Sequence, residues 1–166
     1  IGLAAVGKFA WSDVPIYALG QMLGAMLGAL VVWITYRQHF DVTTDPDMQL
    51  AAFCTGPAIR NPFYNIVTEA VGTFMLVFGV MMIVSPQASL GALDALPVAL
   101  LLFGIGLSLG GPTGFAVNPA RDLGPRIMHA ILPMTNKRDS DWGYAYVPVV
   151  GGILGGLIAA VVYSML

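Results

Sequence analysis

Gly111-Pro112-Thr113-Gly114-Phe115-Ala116-Val117-Asn118-Pro119-Ala120-Arg121-Asp122 is the stretch whose reading decides the fold. It begins with turn formers and then sets Asn118 directly before Pro119. Asn is a preferred helix N-cap and proline suits the first helical position, so a helix is expected over 118–131. Residues 110–133 are too few for a loop, a full span and a second loop. At 1.5 Å per residue the helix covers about half a bilayer. The pattern predicts a re-entrant loop followed by a half-helix. Irregular backbone at membrane depth survives only where it lines a cavity or is buried in protein.

The surrounding chain is apolar enough for that reading. Its 166 residues are 57% hydrophobic and only 10% charged, with a mean hydropathy of +0.80. A soluble domain carries about 25% charged residues, so the chain reads as an integral membrane protein by composition, and its long apolar runs read as spanning helices, an all-α fold. Spans of roughly 20 apolar residues are expected at about 14–36, 63–84, 93–109 and 144–166, within one channel domain over 1–166. Gln21 is the one strongly polar side chain of the first span, and Glu69 is the one carboxylate inside the second. Residues 37–61 read as an extramembrane loop, 85–91 as a short turn and 136–141 as solvent-exposed. Residues 1–11 lack the charged start and apolar core of a signal peptide. The net charge of −2 and the absence of a basic run give no sign of nucleic-acid binding. Cys54 is the single cysteine, so no intrachain disulfide forms, and it reads as an ordinary loop thiol. Asp94, His39 and His129 read as interface residues.

An internal repeat emerges when 19–31 is set over 150–162 without a gap. Gly20, Gly24, Gly28 and Ala29 then fall on Gly151, Gly155, Ala159 and Ala160. Small residues at every fourth position let helix backbones approach closely in lipid.

Read from their chemistry alone, several residues keep two roles open. Asn118 is a cap that also carries an amide donor pair. Arg121 is an ion-pair or snorkelling side chain, or a group facing a water-filled cavity. Glu69 is a membrane-end carboxylate, or the acceptor for N–H groups of the re-entrant strand. Asp122 suits the helix dipole, and Arg126 one turn later is placed to pair with it.

The Gly-rich loop, the "NPARD" run, the repeat and the Glu in the earlier span together resemble the major intrinsic protein superfamily, the aquaporins. Within it, Asp122 after the Arg, Arg126, Gly106, Phe115 and the Pro148-Val149 pair resemble the glycerol-facilitator branch. Water-selective members usually carry small residues at the first two of these positions, a His and a Cys at the next two, and an aromatic pair at the last. The resemblance implies an aquaporin-like inverted-repeat bundle of which this chain is the C-terminal part, four spans plus one half-helix. It implies that residues 1–6 are the tail of a first half-helix whose Asn precedes Ile1 by five residues. It also implies a passive pore without cofactor, for glycerol, other small uncharged solutes and some water, in a homotetramer in the cell membrane. Asn118, Pro119 and Ala120 form the NPA motif. Arg121, Phe115 and Gly106 form the filter, with carbonyls of Gly114, Phe115 and Ala116 as acceptors and Glu69 and Asp122 as scaffold. Gly106 would leave room for a three-carbon solute beside Arg121.

Other classes fit less well. A secondary transporter needs a midplane coupling-ion site, and only Glu69 offers a carboxylate there. An intramembrane enzyme needs a nucleophile, base or metal cluster at span depth, and the spans carry no His.

Overall fold

The computed structural model describes residues 1–83 and 91–166, and the regular elements among them are all helical. A short helix α1 (Gly2–Ala5) precedes a 3-10 turn at Trp11–Asp13, which runs into α2 (Val14–Thr35). The outer connection carries α3 (Arg37–Val42) and α4 (Pro46–Ala51). Then follow α5 (Pro62–Ile83), α6 (Leu96–Leu109), α7 (Pro119–Ile131) and α8 (Tyr146–Ser164). The connection over 37–61 is therefore partly helical. Asp45 starts α4 by accepting from the backbone N–H groups of Asp47 and Met48. The turn read over 85–91 lies outside the described residues, apart from Gly91.

Among the described residues, α2, α5 and α8 are long and apolar enough to cross a membrane. The 14-residue α6 is apolar but shorter. It begins after a separate 3-10 turn at Gly91–Leu93, with Pro97 in its first turn. Leu19, Leu23, Leu27 and Val31 follow one another at every fourth position of α2, and each is more than half exposed. Phe63, Val67, Val71 and Met75 form a similar exposed stripe on α5. In water such stripes would be strongly unfavourable. In hydrocarbon they are the ordinary outer surface, so this is a membrane protein.

Glycine sets how close the helices come. A Cβ built on Gly155 would lie 2.2 Å from the carbonyl oxygen of Ala70, and one on Gly151 would lie 2.5 Å from the Glu69 Cβ. The α5–α8 pair is thus packed backbone to backbone, which only glycine permits here. Their repeat counterparts Gly20 and Gly24 meet nothing within 4 Å among the described residues. The half-helix meets α2 through Gly124, where a Cβ would lie 2.8 Å from the Ala25 Cβ and 3.2 Å from the Met22 carbonyl oxygen. An apolar cluster of Ala29, Phe40, Phe53, Met128 and Leu132 joins α2, α3, the outer connection and the far end of α7.

Candidate functional site

The approach to α7 is strained. Gly114, Phe115 and Val117 have φ of +82°, +62° and +42°. Glycine tolerates this, whereas a β-branched or bulky residue there costs about 1–3 kcal/mol. The strand is held from behind by Glu69, which is only 1% exposed. Its Oε1 accepts from Ala116 N–H at 3.2 Å and its Oε2 from Val117 N–H at 2.8 Å. Glu69 is therefore a buried acceptor for the re-entrant strand and not a membrane-end carboxylate. The front of the strand meets the outer connection. Ala58 N–H donates to the Pro112 carbonyl, and a Cβ on Gly114 would lie 3.3 Å from the Thr55 Cβ.

Asn118 caps α7 as expected of its type. Its Oδ1 accepts from Ala120 N–H at 2.9 Å. Its Nδ2 donates to Gln21 Oε1 at 3.1 Å, a contact across 97 residues of sequence. Both side chains border a cavity of roughly 630 Å³ between α1, α2, α5, α7 and α8. Pro119 and Ala120 also line it, and Pro119 packs against α8 at Gly152. The rest of the lining is mainly apolar, with Phe9, Val14, Met22 and Val77 among it.

The residues read as a filter lie beyond that cavity, toward the outer connection. Arg121 is exposed, and its Nη1 stands 3.5 Å from the Phe53 carbonyl, a long hydrogen bond. Gly106 and Phe115 are in contact. A Cβ on Gly106 would sit 3.2 Å from Phe115 Cε1. The missing side chain thus makes room for the Phe115 ring against α6. Ala116 is 1% exposed with its N–H on Glu69, as read for the back of the strand, while Gly114 is exposed and Phe115 half-buried.

Asp122 and Arg126 form a fully buried ion pair. Asp122 Oδ1 also accepts from Thr55 N–H at 2.8 Å and from Thr55 Oγ1 at 2.6 Å. Arg126 spends its remaining donors on the carbonyls of Thr55, Ser140 and Asp141. A buried pair with every donor placed is costly to break from one side. It clamps the Phe53–Thr55 segment and the 139–141 loop onto α7. His129 belongs to this cluster and is no interface residue. It is completely buried, with Nδ1 2.8 Å from Ser140 Oγ and its ring edge-on to Phe53. The reason is the α7 period, which puts His129 on the same face as Asp122 and Arg126. Cys54 is likewise buried, and desolvation pushes its thiol up to about 12. His39 is exposed as read, against the Tyr36 ring.

Two residues that matter here escape the sequence reading. Gln21 had a signal, as a lone amide in an apolar span. Thr55 had none, since threonine in a loop is unremarkable.

A capped half-helix, a strained strand held by a buried acid, and a cavity at their junction define the wall of a membrane channel. The chain belongs to the major intrinsic protein family, whose profile, described as Major intrinsic protein, matches residues 1–163. It is 53% identical over 166 residues to a probable glycerol uptake facilitator protein of Thermotoga maritima, covering 100% of this chain and 70% of that one. It is 50% identical over 164 residues to the glycerol uptake facilitator protein of Bacillus subtilis, covering 99% of this chain and 60% of that one. The aquaglyceroporin of Plasmodium falciparum superposes with a TM-score of 0.85 at 28% identity, over 98% of this chain and 67% of that one.

Proposed function

We propose that this chain forms a passive channel for glycerol and similarly small uncharged solutes, with some water, and that it catalyses no reaction. Relatives named as glycerol uptake facilitators and an aquaglyceroporin of the same fold support the solute class. The observation that carries the mechanism is the grip of Glu69 on Ala116 and Val117. With those two N–H groups bound behind the wall, the exposed stretch at Gly114 and Phe115 is free to offer carbonyl oxygens to hydroxyl protons. Arg121 supplies donors to hydroxyl oxygens from the other side, and the Phe115 ring gives the carbon edge an apolar wall. Asn118 adds a donor at the N-terminus of α7. The positive end of that half-helix disfavours cations and protons. Selectivity is then steric exclusion plus replacement of hydration by one polar side of an apolar tunnel.

The exposed stripes on α2 and α5 supply area for lipid and for further copies, and a homotetramer in the cell membrane is the proposed assembly. The test is stopped-flow light scattering on proteoliposomes of the full-length protein. Glycerol should enter far faster than in empty vesicles, without saturating at high concentration and without responding to an imposed proton gradient. Saturation, or coupling to that gradient, would instead indicate a transporter.

A further inference from the structure

The segment from Phe53 to Thr55 meets two parts of the proposed filter at once. The Phe53 carbonyl accepts from Arg121 Nη1 at 3.5 Å, and a Cβ on Gly114 would come within 3.3 Å of the Thr55 Cβ. We infer that Thr55 is a positioning residue of the channel: its hydroxyl, bonded to Asp122, fixes where Arg121 and Gly114 stand and so sets the passage of polyol against water. This rests on the channel reading above, in which Arg121 supplies donors and Gly114 an acceptor to the solute.

Thr55 is 6% exposed, and Asp122 and Arg126 are completely buried. Their contacts are enclosed by the chain's own residues and hold whatever packs outside them. A threonine in an irregular segment ordinarily turns its hydroxyl to water or to nearby backbone. Here Oγ1 donates to Asp122 Oδ1 at 2.6 Å, and Thr55 N–H donates to the same oxygen at 2.8 Å. The Thr55 carbonyl accepts from Arg126 Nη2 at 2.8 Å. All three polar groups of one residue thus go to a single turn of α7. Hydrogen bonds to ionised partners are roughly twice as strong as neutral ones, so Thr55 is held in firm register with that helix.

The register reaches the filter by short routes. Asp122 follows Arg121 in sequence, so the carboxylate that grips Thr55 and the guanidinium that donates to Phe53 leave adjacent positions of α7. Phe53 lies two residues before Thr55, and its ring is held as well, 5.5 Å from the rings of Phe40 and His129. With the ring and Thr55 both anchored, the carbonyl between them has little freedom. On the other side, Gly114 has a φ of +82°, and a Cβ there would also lie 3.5 Å from the backbone N and O of Gly56. The Thr55–Gly56 backbone therefore stands as a stop against the strand. A polyol needs several donors and acceptors at fixed spacing along its carbons, whereas water is served by any single pair. Loss of this register should cost glycerol more than water.

The experiment uses full-length protein in proteoliposomes, with glycerol and water permeabilities measured on the same preparation and melting in detergent alongside. Thr55→Val keeps the branched shape and the backbone bonds and removes the hydroxyl. Thr55→Ser keeps the hydroxyl and removes the methyl. The glycerol-to-water permeability ratio should fall about tenfold in Thr55→Val, the worth of one hydrogen bond to a charged group, and Thr55→Ser should restore most of it. If Thr55→Val does not fold, Thr55→Ala, which leaves room for a water at Asp122, is read in its place. A parent-like ratio in the folded Val or Ala variant overturns the inference. So does a fall of both permeabilities together in step with lost stability, or a Ser variant as impaired as the Val one, since each leaves Thr55 as a brace of the fold. A parent that conducts glycerol beside unaltered variants removes this inference and leaves the channel reading. A parent that passes no glycerol removes both.

Discussion

Replacing Glu69 by Gln tests the scaffold most directly. The side chain is 1% exposed and its two oxygens serve two adjacent N–H groups, at 3.2 and 2.8 Å. Gln keeps one acceptor and sets an NH₂ against the second N–H. A hydrogen bond to a charged group contributes about 1.5–3 kcal/mol, and a buried donor left unpaired costs about 1–3 kcal/mol. The loss at the strand is therefore roughly 3–5 kcal/mol. The strain it must hold, at Phe115 and Val117, is about 1–3 kcal/mol for each residue. The two quantities are of the same size, so the strand should leave its left-handed conformation for a large part of the time. The helices themselves are held elsewhere, by the Gly151 and Gly155 contacts, and should persist. The assay is stopped-flow glycerol and water permeability on reconstituted full-length protein, with circular dichroism and melting in detergent alongside. Both permeabilities should fall at least about tenfold, since 1.4 kcal/mol already corresponds to tenfold in population, while helix content is kept. Parent-level flux in a folded Glu69→Gln variant would refute the argument that this carboxylate sets the conducting conformation.

Three further outcomes are expected. Asn118→Asp keeps a cap of about equal strength but loses the donor, and Gln21 can turn its amide to meet the new carboxylate. Folding should be spared and glycerol flux reduced, and parent-level glycerol flux would contradict this. The double change Gly106→His with Phe115→Cys should abolish glycerol flux while leaving water flux largely intact. The imidazole takes the space now filled by the ring, and the apolar wall, at about 0.8 kcal/mol per CH₂, is lost; paired osmotic and glycerol stopped-flow traces decide it. Cys54 should resist maleimide at pH 7 to 9 in the folded protein, since burial holds the thiol protonated up to about 12, and it should react on unfolding. Mass spectrometry reads the adduct, and rapid labelling of the folded protein would show that the site opens.

What the chain determined by itself is what depends on neighbours in sequence. Membrane class follows from summed hydropathy. The start of α7 follows from Asn118-Pro119, and the cap bond to Ala120 spans two residues. The Asp122–Arg126 pair is one helical turn. These are local, so the sequence alone carries them. What the tertiary structure decided depends on how closely backbones approach and which way a strained strand turns. Gly151 and Gly155 read as small residues in sequence, but only the fold shows that they are pressed against α5 at Glu69 and Ala70. His129 was unreadable as a buried group until α7 faced the 139–141 loop. Ala116 and Phe115 are adjacent and similar as apolar residues, but the positive φ angles at Phe115 and Val117 draw the first behind the wall and leave the second half-exposed. Gln21 reaches Asn118 across 97 residues only because Gly124 admits α2. A hydrogen bond between groups so far apart is set by the packing of the helices that carry them, and no local pattern in the sequence encodes that distance.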